Sequence, residues 1–266
     1  MIDRSRLAFL GAGYRRLRGA TVSVVGAGGG GSHIAQQLAH LAVGTVPCID
    51  PDILKAWNVN RNVGSNYRLI GKRKSTILAD RLAGLGGRVV PVPNRAESSE
   101  GRAWLERSDL VFGAVDGARA RENIERICRA ALVPYIDIGL RIETSPTGEV
   151  TAAGGQIVVS LPGGPCLRCA EVVTDSALAA DREEYGDNAI EQQVVSMNGV
   201  LASTAVTAGV ALLTEYAPLF PPPPVLLYDG LTYEVRVDEC GTVPCPHYLL
   251  EDAGWRMVLP KRKNVN

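Results

Sequence analysis

TVSVVGAGGGGSHIAQQLAHLAVGTVPCIDPD, residues 21–52, contains the pattern from which the fold can be inferred. It begins with a β-branched, apolar strand pattern, continues through a run of glycines, and then has apolar residues spaced to face a core from one side of a helix. A second strand pattern follows over 45–49 and ends in two acids. This order of strand, glycine turn, helix and strand is typical of a nucleotide-binding βαβ unit.

The glycine run has the spacing that brings a backbone close to phosphate groups. Gly26, Gly28 and Gly31 fit G-x-G-x-x-G, and Gly29 helps to leave the loop almost free of side chains. The helix that follows would supply free N–H groups and a partial positive charge. Asp50 stands where an acid that binds ribose hydroxyls is expected. The motif alone fits a dinucleotide for hydride transfer as well as it fits ATP, and a tight turn without a ligand is the third alternative.

The rest of the chain predicts a Rossmann-like, doubly wound α/β fold. Strand and helix patterns alternate up to residue 140, which indicates a mostly parallel sheet with helices on both faces: strands over 89–92, 110–114 and 133–138, and helices over 72–85, 101–107 and 118–131. Later segments predict antiparallel strands over 150–160, 225–228 and 233–237. An apolar helix is expected over 197–216, and a long mobile connection over 170–193.

Composition narrows the possible classes of protein. The formal net charge is zero over 266 residues, so no overall field favours nucleic acid or an anionic membrane. The first residues lack the pattern of a signal peptide, and no stretch approaches the roughly 20 apolar residues of a membrane span. A close cysteine pair without a secretion signal suggests a metal before a disulfide. We therefore expect a cytoplasmic protein with no membrane or nucleic-acid partner.

The segment DPDILKAWNVNRN, residues 50–62, favours a triphosphate over a dinucleotide. Asp50 and Asp52 are followed by Asn58 and, three residues later, by Arg61. An arginine can stabilise the charge that develops on a departing pyrophosphate, and a dehydrogenase does not need it. Taken alone, Arg61 could equally be a surface arginine.

Two further charged residues fit the same site. Lys74 opens a predicted helix, where a lysine is unfavourable unless an anion lies nearby, so it is a candidate phosphate ligand. Asp116 follows a buried strand at the carboxyl edge of the sheet, where ligands of such folds bind. An aspartate there can hold Mg²⁺ together with phosphate oxygens, and it can also cap the helix that begins at Ala118.

Four cysteines predict a closed structural zinc site. Cys166 and Cys169 form a C-x-x-C pair, and Cys240 and Cys245 form a second pair with four residues between them. The second spacing is unusual, and His247 could replace one of its cysteines. A redox role for the first pair is disfavoured, because no strand leads directly into it before a helix.

Taken together and in order, these motifs resemble the ThiF/MoeB/ubiquitin-activating-enzyme (E1-like) adenylyltransferase family over nearly the whole chain. That family has a glycine loop, D-x-D, an S-N-L-x-R-like box, a lysine, a strand-ending aspartate and two cysteine pairs. The resemblance implies that Asp50 holds the ribose of ATP, that Asp52 lies near the reacting groups and that Asp116 holds Mg²⁺. It also implies that Asn58, Arg61 and Lys74 hold the phosphates. Departures from the pattern are Trp57, Asn62 and Gly117, where the family usually has Ser, Gln and Asn.

The resemblance implies ATP-dependent adenylation of the C-terminal carboxylate of a ubiquitin-like or sulfur-carrier protein, with release of pyrophosphate. It also implies a homodimer in which an N-terminal arginine reaches the partner's ATP site. We choose Arg6, with Arg4 in reserve. Residues 170–198 contain no cysteine, so we expect the protein to adenylate its carrier without forming the thioester itself. The activated carrier would pass to a conjugating enzyme or a sulfur donor.

We expect a single adenylation domain over 1–266. It would comprise an N-terminal helix, a nucleotide-binding half, a half with the zinc knuckle, crossover segment and carrier surface, and a tail: 1–19, 20–140, 141–250 and 251–266. The carrier must then be a separate chain. Three alternatives stay open: adenylation of a peptide or a tRNA base, an NAD-dependent oxidoreductase, and a zinc-bearing scaffold that has lost turnover.

Overall fold

An eight-stranded mixed sheet is the centre of the fold in the residues that the computed structural model describes, 11, 13–183, 194–217, 220–238 and 245–248. Its strand order is β3-β2-β1-β4-β5-β6-β7-β8. The strands are β1 Val22–Val25, β2 Thr45–Ile49, β3 Arg88–Val92, β4 Leu110–Gly113, β5 Tyr135–Thr144, β6 Val150–Ser160, β7 Val225–Asp229 and β8 Glu234–Asp238. The first five pair in parallel, and β5 to β8 pair antiparallel. The predicted fold class is confirmed.

Helices cover both faces of this sheet. They are α1 Gly13–Gly19, α2 Gly29–His40, α3 Lys74–Leu82, α4 Ser99–Glu106, α5 Ala118–Ala130, α6 Asp175–Glu183 and α7 Val195–Thr214. Two apolar cores result, one beneath α2, α3 and α7 and the other beneath α4, α5 and α6. All four residues of β1 and of β4 are buried, as a strand covered on both faces requires.

One sequence expectation needs correction, and another falls largely outside the described residues. The connection over 170–193 is not simply an extended linker, because α6 occupies Asp175–Glu183 within it; Thr174 caps this helix through its hydroxyl, which accepts the Ala177 N–H at 3.1 Å. The N-terminal helix begins at Gly13 in the described part of the chain, and residues 1–10 lie outside it.

Helix α7 is longer and more apolar than the sequence analysis expected of any segment. It has 20 residues and is long and apolar enough to pass a test for a membrane span by length and composition, so the expectation that no segment reaches that size is wrong. Half of its most apolar window is nevertheless buried in the protein, and Leu201, Ala202 and Ala205 are fully buried against the sheet. Its packing is that of a core helix.

Candidate functional site

The predicted site residues meet where the strand order reverses. The chain runs outward from β1 to β2 and β3, and then returns to the other side of β1 with β4 and β5. Connections on either side of such a point leave a crevice at the carboxyl ends of the strands. The glycine loop follows β1, Asp50 follows β2, and Asp116 lies three residues after β4.

Close backbone packing explains why the loop is rich in glycine. Gly26 has φ +90°, and a Cβ there would lie 2.3 Å from the Ala114 carbonyl oxygen. A Cβ on Gly31 would lie 1.8 Å from the Gly26 oxygen. By contrast, a Cβ on Gly28 would meet nothing within 4 Å. Gly28 is the N-cap of α2 and provides no side-chain cap, so the first N–H groups of this helix are available for an anion.

Asp50 anchors the loop from the end of β2. One of its carboxylate oxygens accepts the Ala27 N–H at 2.6 Å, and the other accepts the Asp52 N–H at 2.7 Å. The residue is only 5% exposed. Burial raises the pKa of this carboxyl, and the charge of Lys74 and the two backbone N–H donors oppose that rise. Asp50 therefore holds the backbone of the glycine loop in place through the hydrogen bond from Ala27.

Lys74, at the start of α3, has an electrostatic partner in the protein itself. Its ammonium pairs with the Asp52 carboxylate at 2.9 Å, and its side chain is 11% exposed whereas that of Asp52 is 64% exposed. The Asp52 carboxylate therefore supplies a negative charge that offsets the unfavourable position of a lysine at the start of α3. Lys74 also lines both cavities described below.

Side-chain hydrogen bonds shape the 58–62 box, and one of them joins it to the glycine loop. Asn58 accepts the Lys55 N–H at 3.1 Å, and Arg61 donates to the Trp57 carbonyl at 2.7 Å. Asn62, which departs from the family pattern, donates to the Ala27 carbonyl at 2.9 Å. These bonds hold Asn58 and Arg61 at the wall of the first cavity.

Two adjoining cavities occupy the crevice. The first is lined by, among others, Gly28, Asn58, Arg61, Lys74, Asp116 and Arg121, and the second by Gly26, Asp50, Asp52, Lys74, Arg95 and Asp116. Lys74 and Asp116 belong to both. Among the described residues, every predicted nucleotide ligand except Gly31, which is buried in α2, lines one of these two cavities. Arg6, the residue predicted to cross the dimer, lies outside the described residues, as does Arg4.

Sequence reasoning missed Arg121. It lies on the first turns of α5, lines the first cavity and forms an ion pair with Asp137, whose side chain is fully buried. Asp137 also accepts the Tyr135 hydroxyl at 2.8 Å. Burial raises the pKa of the Asp137 carboxyl, and Arg121 opposes this. Gly139 leaves room for the arginine, because a Cβ there would lie 2.8 Å from the guanidinium.

Asp116 does not cap α5. The N-cap of that helix is Gly117, which has no side-chain cap. The capping alternative for Asp116 is therefore wrong. Asp116 is exposed and lines both cavities, which leaves its carboxylate available to a ligand. A sequence pattern could not separate the two roles, because both place an acid just before a helix.

A second cluster gathers three cysteines and a histidine: Cys166, Cys169, Cys245 and His247. Their ligand atoms all lie within 4.8 Å of one another, and Cys169 Sγ lies 3.7 Å from Cys166 Sγ and 3.6 Å from Cys245 Sγ. Tetrahedral zinc with Zn–S bonds of about 2.3 Å would require S···S separations of roughly 3.8 Å. The donor set and its spacing therefore fit a structural zinc ion. Cys240 lies outside the described residues, and His247 provides the fourth potential ligand atom among those described.

Buried polar contacts join this cluster to α5. Arg129, which is 8% exposed, donates to Ser160 Oγ at 2.8 Å and to the Gly164 and Pro165 carbonyls at 3.0 and 2.6 Å. Glu125, 1% exposed, accepts the Ser160 hydroxyl at 2.6 Å and the Leu167 N–H at 3.0 Å. The segment that leads into Cys166 is thereby fixed to the sheet.

Comparison with known proteins places this arrangement in a family. Residues 2–244 match the model of the ThiF family, and the chain belongs to that family. It is 26% identical over 231 residues to the molybdopterin-synthase adenylyltransferase of Escherichia coli K12, with 84% of each chain covered. It is 31% identical over 159 residues to the SAMP-activating enzyme E1 of Haloferax volcanii, covering 59% of this chain and 55% of that protein.

Other similarities cover less of the relative or concern the fold alone. The bovine adenylyltransferase and sulfurtransferase MOCS3 is 34% identical over 175 residues, which are 62% of this chain and 36% of that protein. The structure resembles that of E. coli MccB with ATP, with a TM-score of 0.69, 18% identity, and 87% and 67% of the two chains covered. The chain thus spans about half of the SAMP-activating enzyme and about a third of MOCS3.

Proposed function

We propose that the protein uses ATP to adenylate the C-terminal carboxylate of a small ubiquitin-like or sulfur-carrier protein. A carboxylate oxygen of the carrier forms a bond to the α-phosphorus, the bond from that phosphorus to the bridging oxygen breaks, and pyrophosphate leaves with the electron pair. The observation that carries this proposal is the convergence of Lys74, Arg61 and Arg121 with Asp116 on the glycine loop. Three cations and one carboxylate suit a triphosphate with its metal.

The basic and acidic side chains would have different roles. The loop N–H groups and the three cations would bind phosphate oxygens and stabilise the charge that develops on the departing pyrophosphate. Asp116 would hold Mg²⁺, which neutralises phosphate charge. Asp50 would bind the ribose, and its bonds to Ala27 and Asp52 keep the loop in shape. Asp52 lies beside Lys74 and would orient that ammonium.

The carrier's carboxylate would enter the first cavity, where it can meet the α-phosphate. Ile138, Leu140 and Leu201 line this cavity, and apolar walls would help to exclude water from the reacting atoms. Relatives named as activators of SAMP or acting on molybdopterin synthase support a carrier protein as the substrate.

The thiols support transfer of the activated carrier to another protein. Cys48 and Cys128 are at most 1% exposed. Burial raises the pKa of Cys48 to about 12, with a further rise from Asp50, and it also raises the pKa of Cys128. A buried, protonated thiol is a poor nucleophile. A conjugating enzyme or a sulfur donor would therefore receive the carrier.

The remaining parts of the proposal concern metal, assembly and compartment. Cys166, Cys169, Cys245 and His247 would hold a structural zinc ion, which supplies a cross-link between the 166–169 turn and the 245–247 turn. We also propose a homodimer in which Arg6 reaches the partner's site, and a cytoplasmic location, in keeping with free thiols and cysteine metal ligands.

Trapping the activated carrier tests this proposal. The protein would be incubated with MgATP, hydroxylamine and one candidate carrier, and the carrier would be analysed by mass spectrometry. The proposal predicts a hydroxamate at the carrier's C-terminal residue that requires ATP. A carrier that lacks its last residue, or the Asp116→Ala variant, should give none. Hydroxamate that forms equally with the truncated carrier would contradict the proposal.

A further inference from the structure

Helix α5 begins at the proposed nucleotide site without a cap of its own. Its N-cap is Gly117, whose φ of 83° and ψ of 133° suit glycine, and no acid lies in its first turn. The first N–H groups of a helix have no partner within the helix, and a side-chain oxygen usually accepts one of them. For α5 this oxygen must come from elsewhere in the chain.

Asp181 of α6 supplies it. Its Oδ2 accepts the Arg119 N–H at 2.7 Å. A Cβ built on Gly117 would lie 3.2 Å from this oxygen and 3.5 Å from Oδ1, so the carboxylate lies directly over the Gly117 corner. Its negative charge also complements the positive end of the helix dipole.

The position of Asp181 is itself fixed by contacts between α6 and α5. Arg168 bridges the two helices, donating to Glu122 at 2.8 Å and to Asp175 at 2.9 Å. Leu178 of α6 is buried in the same apolar core as Ile124 of α5. The cap is thus delivered by a packed helix of the crossover segment.

We infer that Asp181 is a positioning residue for the nucleotide site: it holds the Asp116–Gly117 corner by capping α5 from the crossover helix. The inference rests on the proposed function. Asp116 directly precedes the capped corner, and Arg121 lies on the first turns of the same helix. Both line the first cavity. Without the cap, the first turn of α5 would fray, and both side chains would lose their fixed positions relative to the phosphates.

The test is calorimetric titration with MgATP in the absence of any carrier. Asp181→Ala should weaken MgATP binding about fivefold, since a lost N-cap is worth about 1 kcal/mol. Asp181→Asn should stay within about twofold of wild type, because asparagine caps nearly as well as aspartate. Asp80→Ala removes an exposed carboxylate from α3 and should change nothing. Amide hydrogen exchange at Arg119 should accelerate only in Asp181→Ala.

The outcomes separate this inference from the function it rests on. Asp181→Ala that binds MgATP like wild type, while Arg119 exchanges faster, would show a cap with no effect on the site and would overturn the inference. Asp181→Asn as weak as Asp181→Ala would overturn it too, because charge and not capping would be the cause. Wild-type protein that fails to bind MgATP would refute the proposed function together with the inference.

Discussion

Removing Arg129 should destabilise the protein strongly, because it leaves a buried carboxylate without its cation. Arg129 and Glu125 are 8% and 1% exposed, and their charged groups lie 3.5 Å apart. The guanidinium also donates to Ser160, Gly164 and Pro165. In Arg129→Ala, Glu125 would keep only its bonds from Ser160 and Leu167.

Breaking a buried pair of this kind costs about 3–5 kcal/mol, a large part of the roughly 5–15 kcal/mol that stabilises a typical domain. The cost should depend on pH. Burial already raises the pKa of Glu125 above its ordinary value of 4.5, and Arg129 opposes that rise, so its loss raises the pKa further. A carboxyl whose pKa is higher in the folded protein than in the unfolded chain contributes its full stability below the unfolded-state pKa. That contribution is lost as the pH rises through the folded-state pKa. The gap between variant and wild type should therefore widen with pH, by up to about 1.4 kcal/mol per unit.

Urea unfolding at pH 5.5 and 7.5, with zinc present throughout, measures this gap. Arg126→Ala is the matched control, since Arg126 is an exposed arginine on the same helix and should shift stability by no more than about 0.5 kcal/mol. The double variant Glu125→Gln/Arg129→Met should cost less than Arg129→Ala alone, because it leaves no buried charge. An Arg129→Ala cost below about 1 kcal/mol, or one that shrinks as pH rises, would refute the reasoning.

Three further predictions concern the nucleotide loop, the lysine and the metal. Gly28→Ala should lower urea stability by no more than about 1 kcal/mol, the cost of alanine at a helix N-cap, and should weaken MgATP binding in calorimetry, because its Cβ would enter the open space where phosphates would lie. Gly31→Ala should instead lower stability by about 1–3 kcal/mol or more, since its Cβ lies 1.8 Å from a backbone oxygen. Lys74→Ala should lower pyrophosphate exchange about 10- to 100-fold, as loss of a charged hydrogen bond implies, whereas Lys72→Ala, an exposed neighbour, should not. Chelation of zinc should lower the melting temperature by several degrees, each kcal/mol being worth about 2–4 °C; an unchanged melting curve with metal-free protein would count against a structural metal.

Local signals made the nucleotide half of the fold predictable. The glycine run, the second strand and Asp50 lie within about 30 residues of one another, and their roles depend on backbone geometry that sequence spacing encodes. Asp116 was placed correctly because a strand end fixes where the next residues emerge in a parallel sheet. Helix and strand types were right in these segments, and their ends differed by a few residues, as fraying and caps would lead one to expect.

Contacts between distant segments were not predictable in the same way. Arg121 gains its importance from its ion pair with Asp137 on β5 and from the small size of Gly139. Asp181 caps a helix 62 positions earlier in the chain. His247 could be weighed against a cysteine from its chemistry, but only the folded chain brings it beside Cys166 and Cys169. No local sequence pattern around any of these residues indicates its role.

Adenylation of a carrier's carboxylate at this site can be measured by ATP–pyrophosphate exchange. Labelled pyrophosphate would be supplied with MgATP and each of a panel of ubiquitin-like and sulfur-carrier proteins, with Asp116→Ala as the control. We expect label in ATP only when one carrier with an intact C-terminus is present, and none with the variant. Exchange that proceeds without any carrier, or that survives in Asp116→Ala, would contradict the proposed function.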